Sequence, residues 1–181
     1  QVLAQMALWE RGPRIPLERT FSDRFVSYQE WELAIYPALS GQSATEHIIP
    51  AQQFDDLRGE RRRTFQSESL PFDLVLTEYR KTSRPARSPS APGYDFQDLP
   101  DEKEAEGNLP AVQAVLLEPN SGSEQTVGLW AGQRFPAVVK VGGHGWALDF
   151  RRVTRTLPFT IRLDDFHREL YPRTNMPKVF L

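Results

Sequence analysis

The chain has no cysteine, so disulfides and thiolate metal sites are excluded, and cysteine usage says nothing of the redox compartment. It has three histidines, His47, His144 and His167, and they lack the His-x-x-x-His type of spacing that builds a local metal site. No run of about 18 apolar residues occurs, so no membrane span lies within the chain. Charge of one sign is also missing. Lys and Arg total 22 against 24 Asp and Glu, for a net charge of −2 and a pI of 6.0. That balance excludes general nucleic-acid binding driven by counterion release. Neither a Gly-x-Ser-x-Gly elbow nor a phosphate loop is present. Gln1 to Trp9 reads as a short apolar helix without the basic start and small-residue cleavage site of a signal peptide. With no initiator Met and an apolar finish, the sequence reads as a piece excised from something longer.

What is present is aromatic and turn-rich. Eleven Phe, five Tyr and four Trp supply core volume, while 15 Pro and 11 Gly suit short strands and turns better than a helical bundle. Alternating apolar and polar residues predict a half-buried strand over Phe25–Tyr36. Further strands are expected over 46–49, 70–79, 112–117, 126–130, 137–141, 146–150 and 157–163. Gly142-Gly143-His144-Gly145 is the clearest hairpin signal, because glycine supplies the positive φ that such turns need. Asp164 is expected to cap a short helix through Leu170, ended by Pro172. Residues 81–108 hold Pro85, Pro89, Pro92 and Pro100, then an acidic run, and read as a flexible loop or linker.

Two segments resemble each other. Leu70-Pro71-Phe72-Asp73-Leu74-Val75-Leu76 matches Leu157-Pro158-Phe159-Thr160-Ile161-Arg162-Leu163, and a weaker match sets Ser40-Gly41 against Ser121-Gly122 and Phe54 against Phe135. A short insertion near the glycine hairpin reconciles the two spacings. The expectation is an all-β fold with minor α content: a lead segment 1–20, a first β repeat 21–80, the loop 81–108 and a second β repeat 109–181. The two repeats would pack as a sandwich or barrel-like unit.

Candidate chemistry is sparse. His144, in the glycine turn, is the most accessible histidine and the candidate for a haem or metal contact. Trp130 and Trp146 would either pack in the core or form an aromatic platform for a planar ligand. Asp164-Asp165 suits a helix N-terminus better than an acid–base pair. Arg61–Arg63 and Arg151-Arg152 read as solvated loop charge, with docking to an acidic partner or lipid headgroups as the alternative.

The stretch Leu157–Leu181, LPFTIRLDDFHRELYPRTNMPKVFL, resembles the signature segment of ResB-like proteins, membrane subunits of the System II cytochrome c biogenesis machinery. Val138–Phe150 and Tyr28–Leu33 resemble the same family. The resemblance implies a periplasmic or otherwise extracytoplasmic β domain, set between membrane helices that this chain does not contain. Its partners would be the other membrane subunit of the cytochrome c synthase and apocytochrome c. The family's haem-handling histidines belong to membrane segments, so none carries over to His47, His144 or His167. No catalytic residue, metal or resident cofactor is therefore expected here, with haem reached only through the full complex. Ligand or partner contacts are assigned to His144, Trp130, Trp146 and His167. The competing reading is a free-standing ligand-binding β-sandwich for carbohydrate or another planar ligand.

Overall fold

The computed structural model describes residues 21–38, 45–87, 94–119, 121–162, 164, 168–170 and 177–180. The expected helix over 1–9, the Ser40-Gly41 turn and His167 lie outside these residues. The fold is all-β. In chain order the strands are β1 (Phe21–Pro37), β2 (His47–Pro50), β3 (Arg62–Phe65), β4 (Asp73–Arg80), β5 (Ser83–Arg87), β6 (Tyr94–Asp98), β7 (Ala111–Leu117), β8 (Glu124–Trp130), β9 (Ala137–Val141), β10 (His144–Arg162), β11 (Arg168–Leu170) and β12 (Pro177–Phe180).

Two four-stranded sheets have the orders β2-β1-β10-β9 and β3-β4-β7-β8, and β5-β6 and β11-β12 form two-stranded ribbons. The expected strands 146–150 and 157–163 are one continuous strand, β10. The short helix expected over Asp164–Leu170 is not formed at its end. Arg168–Leu170 is strand β11, paired with β12 from Arg168↔Phe180 to Leu170↔Pro177. Two ribbon edges satisfy each other's backbone groups without needing the cap that Asp164 was expected to supply.

The chain divides into two compact units, residues 29–152 and a second made of 1–28 with 153–181. The larger unit contains one core fed by both four-stranded sheets. Trp31, Leu33 and Ile35 of β1, Val139 and Val141 of β9, and Leu148 and Phe150 of β10 come from one sheet. Leu74 and Leu76 of β4, Val112, Ala114 and Leu116 of β7, and Leu129 of β8 come from the other. Strand alternation explains the set, because every second residue of a strand faces the same way. Phe54, between β2 and β3, is fully buried and touches both sides: its ring lies 5.9 Å from Tyr79 and 5.9 Å from Phe150.

The segment expected as a flexible linker is ordered where it is described. β5 and β6 pair from Ser83↔Asp98 to Arg87↔Tyr94, and Phe96 is buried. Ser83 N–H donates to the Leu109 carbonyl at 2.9 Å, and Leu99 N–H donates to the Thr82 carbonyl at 2.9 Å. The hydroxyl of the buried Thr82 lies 2.6 Å from Asn108 Oδ1 and 3.0 Å from Asp101 Oδ1. Backbone pairing and a buried polar anchor thus order a stretch whose composition alone is poor in apolar residues.

A bulge shapes β4. Thr77 pairs with Gln113 and Arg80 with Ala111, so the register shifts between them, and Glu78 adopts a left-handed φ of 50°. The bulge releases the Tyr79 N–H to donate to the Leu57 carbonyl at 2.9 Å.

Exchanging β1, β2, β3 and β4 for β7, β8, β9 and β10 converts the first sheet order into the second read backwards. The two Leu-Pro-Phe segments are not exchanged by this relation. The first precedes β4, with Phe72 1% exposed, whereas the second lies far along β10, with Phe159 58% exposed. Phe72→Ala is therefore expected to cost about 3–5 kcal/mol through lost burial and a cavity. Phe159→Ala should stay within about 0.5 kcal/mol of the parent. Urea unfolding followed by tryptophan fluorescence measures both, and equal losses would contradict the burial difference.

Candidate functional site

The alternation that buries Trp31, Leu33 and Ile35 turns Glu32, Ala34 and Tyr36 to the other side of β1. In β10 the same rule pairs Trp146, Leu148 and Phe150 with an opposite set, Ala147, Asp149 and Arg151. β1 and β10 are neighbours, and Ala38 N–H donates to the Gly145 carbonyl at 2.8 Å. Charged side chains from distant parts of the chain consequently meet on the face of this sheet that points away from the core.

Arg151 is their centre. Its Nε donates to Glu32 Oε1 at 3.0 Å, and its two terminal nitrogens donate to the Glu46 carboxylate at 3.2 and 2.5 Å. Asp149 lies 3.8 Å away. The Glu32 side chain is only 11% exposed and that of Arg151 32%, so these charges are largely withdrawn from water. Ala34 and Ala147 are buried although they sit on this outer face.

The titrations follow from the crowding. Burial alone would lower the pKa of Arg151, but hydrogen bonds from its guanidinium to Glu46 and Glu32 hold it protonated and well above its ordinary value. Burial raises the pKa of Asp149. The Arg151 charge opposes that rise, while Glu46 and Glu32 add to it. Tyr36 is raised by burial and then by Asp149, against an opposing effect of Arg151. Away from this face, burial is also the main reason Tyr79 is pushed up to about 12.

Arg152 points the other way from Arg151. Its guanidinium stacks 4.4 Å from the centre of the Trp31 ring and donates to the Glu106 carbonyl at 2.9 Å. The expectation of solvated loop charge at Arg151-Arg152 is corrected on this evidence. Both lie within β10, where alternation directs one to the carboxylates and the other to an indole. A legible signal existed in Glu32, a carboxylate inside the apolar run Trp31–Ile35, which requires a partner once that run is a core strand.

The structure does not bring the sequence-selected residues together. Trp146 faces the core, its ring edge-on to Phe72 at 5.6 Å, and its buried Nε1 has no hydrogen-bond partner among the described residues. Trp130 is on the other sheet. Its Nε1 donates to the Ser83 carbonyl at 3.1 Å, and its ring covers Gly132 so closely that a Cβ there would meet it at 2.2 Å. The two indoles share no face. His144 is exposed at the start of β10, and His47 Nε2 lies 3.4 Å from Ser69 Oγ. Among the described residues no group of three His, Cys, Asp or Glu side chains is placed to hold a metal ion. Compared with protein-family models and with curated proteins, the chain finds no match.

Two outcomes test this geometry. Arg151→Ala leaves the nearly buried Glu32 without its cation and should cost about 2–4 kcal/mol. Combining it with Glu32→Gln should recover part of that loss, as a double-mutant cycle in denaturant would show. Asp149 has a folded pKa above its unfolded one, so its ionisation weakens the fold as pH rises between the two values. Asp149→Asn should therefore gain stability over the parent at neutral pH. That gain should vanish below the ordinary carboxylate value of 3.8, as melting curves across pH would report.

Proposed function

We propose that the chain is a non-catalytic, extracytoplasmic β module of a membrane-bound cytochrome c biogenesis complex. Its role is to position apocytochrome c and the partner membrane subunit for haem delivery and attachment. The observation that carries this reading is how the chain enters and leaves the unit 29–152. It does so through β1 and β10, which are adjacent strands of one sheet. A domain inserted between two membrane segments needs its entry and exit side by side, and neighbouring strands supply that.

The stretches that resemble ResB-like proteins add support. Tyr28–Leu33 lies in β1 and Val138–Phe150 spans β9 into β10, three consecutive strands of one sheet, while Leu157–Leu181 begins in β10 and continues into the β11-β12 ribbon. No helix among the described residues is long and apolar enough to cross a membrane, and anchoring is assigned to helices outside this chain. The exchange relation between the two sheet orders supports descent from a duplicated four-strand unit, with each sheet drawing two strands from each copy. The platform reading for a carbohydrate or planar ligand has no comparable support, because Trp130 and Trp146 lie on different sheets.

The test is binding by the isolated chain, measured calorimetrically with haem-free apocytochrome c and with haem as separate titrants. Saturable binding of the apoprotein is expected, with no stoichiometric haem binding. Failure to bind the apoprotein overturns the proposal. So does tight haem binding that is lost in His144→Ala.

A further inference from the structure

β9 is the outermost strand beside β10, and its far edge pairs with no strand among the described residues. Gly142 and Gly143, at φ of 57° and 80°, form the two-residue turn between Val141 and His144. In such a hairpin the pair flanking the turn shares hydrogen bonds, and bonded pairs alternate with non-bonded ones along the ladder. Val141, Val139 and Ala137 therefore bond to β10. The N–H and C=O groups of Val138 and Lys140 point to the free edge.

The other outer strands are protected in the ways edges usually are. β2 has four residues and ends at Pro50, β3 carries Arg62 and Arg63, and β8 begins at Glu124 and is met near its end by β5 and β6. β9 contains no proline and one charge, Lys140. Just before it Phe135 is 72% exposed, and within it Val138 is 60% exposed.

The charge around this edge has one sign. Residues 125–148 contain no Asp or Glu but include Arg134 and Lys140, both exposed. Neither Arg134 nor Lys140 forms an ion pair among the described residues; the Arg134 guanidinium instead lies 5.4 Å from the centre of the Phe135 ring.

We propose that the free edge of β9 accepts an extended, acidic segment of a partner protein as an added strand. The backbone groups of Val138 and Lys140 bind that segment's backbone, as in other strand-addition complexes. Apolar side chains of the guest rest on Val138 and Phe135, and its carboxylates meet Arg134 and Lys140. The backbone ladder supplies affinity, and the unpaired cations select charge and accelerate encounter. This assignment goes beyond the cytochrome reading and does not depend on it.

The probe is a short fluorescent peptide with threonine at every second position and valine and glutamate taking turns at the positions between, so that both can share the face of Val138 and Lys140; it is used below its self-association concentration and followed by anisotropy. Saturable one-to-one binding is expected, with a lysine-for-glutamate peptide weaker by about tenfold or more. Arg134→Glu combined with Lys140→Glu should weaken the acidic peptide by about tenfold or more. Val138→Pro removes one edge N–H that β10 does not use, and should abolish binding while the circular dichroism and melting point are kept. Should that variant melt early, a peptide N-methylated along its backbone tests the same bonds from the ligand's side and should not bind. The proposal is overturned if the acidic peptide does not bind, if both peptides bind equally, or if N-methylation has no effect. A dimer in sedimentation that Val138→Pro dissociates would assign the edge to a second copy of the chain and overturn it as well.

Discussion

Each of the two large sheets is closed by a pairing between distant parts of the chain. β1 lies against β10 in one and β4 against β7 in the other, so neither half can complete a sheet from its own strands. Taken alone, the first four strands would be two separate hairpins, and isolated two-stranded ribbons are at best marginal in water. The core must therefore assemble from both halves together. Phe54 expresses the constraint most directly, because its ring packs on Tyr79 of β4 and Phe150 of β10 and so ties a residue outside both sheets to each. Contacts this distant in sequence require closing long loops before apolar burial offsets the entropy, which places the fold in the slow, high-contact-order class.

The same constraint explains the ion pairs. Once β1 and β10 are neighbours, Glu32 is withdrawn from water whether or not a cation is near. An unpaired buried carboxylate costs several kcal/mol, and Arg151 from the other end of the chain offsets most of that. Such a pair adds little net stability over an apolar alternative. What it does is penalise wrong registers, since sliding β10 by one residue would turn Arg151 toward the core and Leu148 and Phe150 toward the outer face. Arg152 makes the complementary demand, because its stacking on Trp31 fails in the same slip.

Much of the fold was legible, and the misses have definite causes. The strands at 46–49, 112–117, 126–130 and 137–141 were readable because period-two alternation and flanking turn residues agree with the final structure. β3 was missed because Arg62 and Arg63 are charges in an edge strand, where long polar side chains reach solvent without cost. β5 and β6 were missed because a composition argument weighs apolar burial only. Here Phe96 and the Thr82 anchor, with backbone pairing, order what proline and acidic residues suggested was loose. The helix after Asp164 was an inference from a cap residue, and cap preference yields to strand pairing at Arg168–Leu170. At the site, sequence weighed side chains one by one and so favoured His144, Trp130 and Trp146. Arg151 acquires meaning only through partners Glu32 and Glu46, which topology alone places beside it.

The distribution of satisfied and unsatisfied groups also separates the surfaces. On the outer face of the β2-β1-β10-β9 sheet, carboxylates and guanidinium answer each other, and the alanines beneath are already covered. A ligand arriving there would have to break ion pairs that are nearly buried, and the desolvated partners left behind would oppose it. Trp130 is likewise committed to Ser83 and Gly132, and Trp146 to the core. The β9 margin differs: Arg134 and Lys140 form no ion pair among the described residues, Phe135 and Val138 are exposed, and the outward backbone groups of β9 pair with no described strand. Binding at such a margin displaces water rather than protein contacts, so recognition is cheapest where the sheet has been left open.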